Sequence, residues 1–176
     1  SIRIAYSGKI YEEAYGLFRT VYQADGQTRY ALATQFEPGD ARRFAPMWDQ
    51  PNRRAVFSLT VNAPADQMVI SNMPVAQTQR LSGGLARTRF QDTPSMASYL
   101  LFFGMGDFER VHQQVGSVDV GVIVRRGEGV RAQEALRAGV ESITYADYIR
   151  TDLGPSCAWE LAAIEDQGSV LHVVIP

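Results

Sequence analysis

Apolar and polar residues alternate along most of the chain before residue 125, and the two-residue period of that alternation predicts strands. Ile2, Ile4 and Tyr6 fall on one side and Arg3, Ala5 and Ser7 on the other, the pattern of a half-buried strand closed by Ser7-Gly8. Gly16-Leu17-Phe18, continued by Thr20-Val21-Tyr22, reads as the next strand. Ala24-Asp25-Gly26-Gln27 then supplies a hairpin turn before a strand at Thr28 to Thr34. Ala55 to Val61 alternates again and stops at Ala63-Pro64-Ala65-Asp66. Met68 to Ser71 is a short apolar strand halted by Asn72-Met73-Pro74, because proline has no N–H with which to continue a ladder. Ala86 to Phe90 follows a Ser82-Gly83-Gly84 turn, and Met96 to Met105 and Asp107 to Val111 are strand-like, with a bend or bulge at Gly104 and Gly106. Val118 to Val124 is the clearest buried strand.

The period changes at Arg131. Leu136, Val140, Ile143, Tyr145 and Ile149 recur at three and four on a segment rich in Ala, Glu, Arg and Gln, which predicts an amphipathic helix. Asp152-Leu153-Gly154-Pro155 stops it. A short helix over Ala158 to Ile164, a Gln167-Gly168 turn and a strand over Val170 to Ile175 follow. The expected class is mainly β, with a C-terminal amphipathic helix and a short helix-strand tail. Residues 1–150 are read as one β-domain with its linker helix, and residues 151–176 as a tail packed on the same domain.

Composition narrows the function classes. A chain of 176 residues that is 45% hydrophobic and 20% charged is long enough to bury a core and is that of a globular protein. With a formal net charge of -2 and both signs interspersed, it carries no electrostatic footprint for nucleic acid. Its longest apolar run, near Tyr99 to Met105, is far short of the roughly 20 residues of a membrane helix, so no membrane partner is expected. The first residues lack the continuous apolar stretch of a signal peptide, and the single cysteine, Cys157, forms no internal disulfide; both favour the cytoplasm.

One stretch fits neither period. Thr34 to Pro51 packs Gln35, Glu37, Arg42, Arg43, Phe44 and Trp48 into a segment ending in Asp49-Gln50-Pro51, and such segments are loops held by their own contacts. Its Thr34-Gln35-Phe36-Glu37-Pro38, its Ala41-Arg42-Arg43 and its Trp48-Asp49-Gln50-Pro51 resemble the signature loop in the amino-terminal β-domain of zinc aminopeptidases of the aminopeptidase N type. Further matches occur in the same order: Ile4-x-Tyr6-x-Gly8 and Gly16-Leu17-Phe18 before the loop, then Ser71-Asn72-Met73-Pro74, Thr93-Pro94-x-Met96-x-Ser98-Tyr99-Leu100-Leu101, and Gly106-Asp107-Phe108. The resemblance implies an antiparallel β-sandwich over about Ser1 to Arg150, with no family resemblance in the last 26 residues. Where the family has F-P-C-[FW]-D-E-P, this chain has Ala45 and Gln50, and the amide removes a charge from the loop.

The family's reaction needs H-E-x-x-H with a distant Glu, two imidazoles one helical turn apart holding zinc while the motif Glu activates water. The two histidines here, His112 and His172, stand sixty residues apart with no such motif, and G-x-M-E-N is absent. No catalytic residue, metal ligand or cofactor is therefore expected within these residues. Substrate-binding residues are another matter. By the resemblance, Glu37 holds the free α-amine of a peptide and Gln35 lines the pocket for its first side chain, a carboxylate being a suitable partner for an ammonium. The alternative for both is a loop residue satisfied by local backbone.

Other groups have plainer readings. Arg42 and Arg43 beside Asp40 and Asp49 read as an ion-pair cluster pinning the loop. Trp48 and Phe44 are expected to pack beneath it. Asp107 and Glu109 are expected on one face of an exposed strand, needing only solvent. Cys157 reads as an inert buried thiol, and His112 and His172 as strand or surface residues. The function expected is a non-catalytic aminopeptidase-like fragment, such as a captured gene cassette would encode, that binds or interacts, with peptide amino termini as one ligand. The rivals are a piece of a zinc aminopeptidase completed by a separate catalytic chain, and a stable fold without selected function. A homodimer is expected, because the strand edge at Ile2 to Ser7 and the face around Gln35, Phe36 and Trp48 would otherwise lie open; the tail strand is expected to pair beside Ile2 to Ser7.

Overall fold

The computed structural model describes the backbone of residues 1–116, 118–152 and 170–174 and the side chains of residues 1–116 and 118–142. Within these the chain is mainly β, built of antiparallel sheets with one C-terminal helix, and it divides into two units, Ser1–Asp107 and Phe108–Pro176.

The first unit is organised on a hairpin of β1 (Gly16–Ala24) and β2 (Gln27–Gln35), in register from Gly16 opposite Gln35 to Ala24 opposite Gln27. The two-residue loop is Asp25-Gly26, and both residues have positive φ, 52° and 70°. That is the twist-matched turn which Asp-Gly favours. β3 (Arg54–Ala55), β4 (Thr60–Pro64), β5 (Met68–Ser71), β6 (Val75–Arg80), β7 (Leu85–Phe90), β8 (Met96–Ala97) and β9 (Phe103–Gly106) complete the unit. The sheets run β1-β2-β9-β5, β3-β8 and β4-β7-β6.

The second unit pairs β10 (Phe108–Val115) antiparallel with β11 (Val118–Arg125), and β12 (Val170–Val174) lies parallel to β11. Between them runs α1 (Gln133–Asp152), the long connection that a parallel neighbour requires. Val120, Val122 and Val124 bury one face of β11 against Ala132 and Leu136, with Val111, Val115, Val118 and Val140 packed around them. Leu136 and Val140 thus take the core-facing positions that the helical period assigns. Ile143, Tyr145 and Ile149 lie in α1, their side chains outside the described residues. The helix stop, the helix over Ala158 to Ile164, the Gln167-Gly168 turn and Cys157 fall outside them too.

Four expectations are corrected. Ile2, Ile4 and Tyr6 form no strand and are 88, 56 and 54% exposed. Alternation gives a segment the capacity to be a strand, but the ladder needs a second backbone, and no described residue supplies it. The tail strand is found at Val170–Val174, yet its partner is β11, with Asp119 opposite Val170 and Ile123 opposite Val174, not residues 2–7. Ala55 to Val61 is not continuous, because the Phe57 N–H donates to Thr93 Oγ1 at 2.9 Å and the Thr93 N–H to the Phe57 carbonyl at 3.0 Å, outside any ladder. Met96 to Met105 is broken by a 3₁₀ turn at Ser98–Leu100. β6 is an addition that the pattern does not announce: every residue of Val75-Ala76-Gln77-Thr78-Gln79-Arg80 is exposed, so no buried face writes a period into it.

Gly16, where the hairpin begins, has φ +62°, and a Cβ there would lie 3.0 Å from Cβ of Arg43 in the signature loop. Both the backbone and the close approach call for glycine. Gly16→Ala is expected to cost about 1–2 kcal/mol from the left-handed backbone alone. A lowered denaturant midpoint at unchanged m-value is the result that checks it.

Candidate functional site

The signature loop starts where β2 ends. Thr34, buried, fixes that end by accepting the Phe103 N–H at 2.9 Å on its Oγ1 and returning its own hydroxyl to the Phe103 carbonyl at 3.3 Å. Phe36 follows, 2% exposed, in a cluster with Ala41 and Leu101 ringed by Phe44, Met47, Phe57, Met96 and Tyr99. The Phe44 ring lies 5.4 Å from that of Phe36 at 42°, so Phe44 packs as expected. Because Phe36 takes the inward position, its neighbours Gln35 and Glu37 are both turned out, and both are exposed. Neither side chain has a hydrogen bond or ion pair among the described residues. The Asp40 N–H then donates to the Phe36 carbonyl at 2.8 Å and the chain enters a 3₁₀ turn at Ala41–Arg43.

Ion pairs hold the loop from both sides, as the Arg-Arg and Asp spacing implies. Arg43 Nε donates to Asp40 Oδ1 at 2.6 Å, and its guanidinium lies 4.9 and 5.5 Å from the ring centres of Tyr15 and Tyr11. Those distances suit cation–π contact and tie the segment before β1 to the loop. Arg42 faces the other way. Its backbone N–H and Nε donate to Asp49 Oδ2 at 3.1 and 3.2 Å, and its Nη2 to the Asp49 carbonyl at 3.0 Å. Ser98 Oγ donates to Asp49 Oδ1 at 2.6 Å, so the carboxylate, 2% exposed, has both oxygens engaged. Burial by itself raises the Asp49 pKa; the hydrogen bonds from Ser98 and Arg42 outweigh it, and the net shift is down from the ordinary value.

The buried Asp49 overturns the expectation for Trp48. With Asp49 turned inward, the adjacent indole is directed outward and is 81% exposed instead of packed beneath the loop. Asp107 and Glu109 are corrected as well. Asp107 pairs with Arg29 and is 16% exposed at its side chain, while Glu109 Oε1 accepts the N–H groups of Gly127 at 3.0 Å and Gly129 at 2.6 Å. They act as backbone and ion-pair partners, not as solvated charges. The Ser98–Asp49 bond has no signal in the local pattern, although Ser98 stands inside one of the motifs that carry the resemblance.

Residues 1–100 match the family described as the Peptidase M1 N-terminal domain. The chain belongs to that family. Among its relatives are Aminopeptidase M1-A of Oryza sativa subsp. japonica, 32% identical over 168 residues, and Aminopeptidase N of Acetobacter pasteurianus, 36% identical over 143. The Probable aminopeptidase 2 of Sulfurisphaera tokodaii is 37% identical over 144 residues. These matches cover 94, 81 and 82% of this chain but 19, 40 and 18% of the relatives' own lengths. The rice match, at 94% of the chain, is too long to be confined to residues 1–150 and so extends into the tail.

Among the described residues, the zinc that the resemblance implies for the family's reaction has no matching ligand set. His112, on β10 with its side chain 58% exposed, is engaged through Nδ1 with Asp119 Oδ1 at 2.9 Å, and Arg110 occupies the other Asp119 oxygen at 2.9 Å. A cation that close opposes a second one. Among the described residues no three His, Cys, Asp or Glu side chains gather as a metal site would need. No described helix is long and apolar enough to cross a membrane.

Proposed function

We propose that these residues bind rather than cleave, presenting Glu37 to the free α-ammonium of a peptide and Gln35 to its first side chain, as the β-domain part of M1-type substrate recognition. The observation that supports this is the placement of the pair: Phe36 is anchored, and Gln35 and Glu37 project on either side of it with uncommitted polar ends. A single exposed carboxylate–ammonium contact contributes about 0.2–1 kcal/mol, so affinity stays millimolar at best unless a second chain closes the site. Glu37→Gln is therefore expected to weaken a free-amine peptide by about 1.4- to 5-fold, with its acetylated counterpart binding no better than the variant does. Chemical-shift titration of both peptides measures this. Equal affinity of the parent and Glu37→Gln for the free-amine peptide would remove the role.

The enzyme-piece reading is favoured by one finding, the 18 to 40% share of the aminopeptidase relatives that this chain spans. On that reading a separate catalytic chain supplies the H-E-x-x-H motif, which these 176 residues lack. Under either reading the isolated chain is expected to hydrolyse no aminoacyl substrate, and self-association as a homodimer would cover the exposed Ile2, Ile4 and Tyr6. Sedimentation at rising concentration reads the dimer directly. The single cysteine fits the cytoplasm as the compartment.

A further inference from the structure

Trp48, Asn52, Arg53 and Arg54 line an open depression of about 450 Å³ beside the pinned Asp49. Trp48 is 81% exposed, and Asn52, Arg53 and Arg54 are exposed with it. The four arginines of this region divide into two kinds. Arg42 and Arg43 are committed to Asp49 and Asp40, whereas Arg53 and Arg54 have no hydrogen bond or ion pair from their guanidinium groups among the described residues. Two guanidiniums without an ion-pair partner among the described residues therefore stand beside an exposed indole, in a chain whose formal net charge is -2.

The backbone that displays them is held. The Asp49 side chain is buried and bonded at both oxygens, the Arg53 N–H closes a turn onto the Gln50 carbonyl at 2.8 Å, and Arg54 pairs with Ala97 across β3 and β8. Preorganisation of this kind lowers the ordering cost of association. The depression is too open to enclose most of a small ligand, as small-molecule sites do. Exposed Trp and Arg together are instead the composition of protein-binding hot spots.

We propose that Trp48, Arg53 and Arg54 form a docking surface for an acidic protein segment, whose carboxylates meet the two guanidiniums and whose apolar side chain lies on the indole. Charge complementarity selects this partner. The proposal goes beyond the peptide-amine reading, since it uses neither Gln35 nor Glu37.

The test follows the indole N–H signals of the full chain, that of Trp48 being the one lost in Trp48→Phe. The titrant is the doubly blocked peptide Ac-Glu-Asp-Leu-Glu-Asp-amide, which has no free amine and so does not probe the Glu37 site, and the control replaces its acids by Gln and Asn. A saturable shift of the Trp48 signal by the acidic peptide alone is expected. Arg53→Ser with Arg54→Ser should weaken it by about fivefold or more, and added salt should weaken it too, since exposed ion pairs are screened. All three side chains are exposed, so unchanged melting temperatures certify folding of the variants, and the double exchange of both arginines to lysine should retain most of the affinity. An equal response to the amide control, no shift at Trp48, or no loss in the double serine variant would overturn the proposal. So would free glutamate or inorganic phosphate matching the peptide, which marks a simple anion site, or a single-stranded oligonucleotide binding more tightly than the acidic peptide.

Discussion

Phe36→Ala is expected to lower the stability of the first unit by about 3–5 kcal/mol, the range for removing a buried aromatic ring. Phe36 is among the largest fully buried side chains, 2% exposed, and it stands at the centre of a cluster drawn from the loop (Ala41, Phe44, Met47), from Phe57, and from Met96, Tyr99 and Leu101. Truncation leaves a void that this neighbourhood is poorly placed to fill, because Ala41 sits in a closed 3₁₀ turn and the chain around Leu101 is fixed by the Thr34–Phe103 bonds. Phe36→Leu keeps most of the apolar volume and should lose far less. Amide exchange at Phe103, whose N–H is held by Thr34, reads the unit directly. A loss under about 1 kcal/mol in Phe36→Ala would mean that the loop is not anchored through this ring. The peptide binding proposed for Gln35 and Glu37 should fall with it, since the same ring turns both side chains outward.

Asp49→Ala is the second large effect, expected to cost about 2–3 kcal/mol. The carboxylate is 2% exposed and answers three donors, and removing it leaves the buried Ser98 hydroxyl and the part-buried Arg42 backbone N–H without this partner. Breaking a fully buried pair costs about 3–5 kcal/mol; the lower figure applies here because the Arg42 side chain is 61% exposed and is rescued by water. Asp49→Asn keeps the size and one acceptor oxygen and should lose less. It also isolates the charge. The folded-state pKa of Asp49 is lowered, so its ionisation contributes stability that is complete above the ordinary carboxylate pKa of about 4 and is lost as pH falls through the lower folded value. The stability difference between the parent and Asp49→Asn should therefore be largest near neutrality and shrink as the solution is acidified below about pH 4. Urea titrations at a series of pH values measure it, and a difference that holds constant through that acid range would show that the charge contributes nothing.

Local signals suffice where neighbouring residues settle the conformation. Asp25-Gly26 fixes a hairpin because an L-residue and a glycine that both tolerate positive φ stand between two alternating runs. Leu136 and Val140 set the buried face of a helix by spacing alone. Arg42 and Arg43, with Asp40 and Asp49 nearby, announce their own ion pairs, and the loop motifs carry the family. The loop is also legible as the candidate site, since Thr34 to Pro51 obeys neither period.

What tertiary structure decided is which segment meets which. Ile2 to Tyr6 and Val75 to Arg80 differ in the opposite sense to their patterns: the apolar alternating segment stays out of every described sheet, and the polar one joins β7, because a strand exists only where a second backbone accepts its hydrogen bonds. Val170–Val174 is apolar enough for any edge, and the choice of β11 follows from the crossover that α1 provides, which no local pattern encodes. The reversal of Trp48 and Asp49 has the same origin. Hydrophobicity ranks the indole as the inward group, but Ser98, distant in sequence, and Arg42 together offer the carboxylate three hydrogen bonds that a buried indole could not replace, and the inward place goes to the acid.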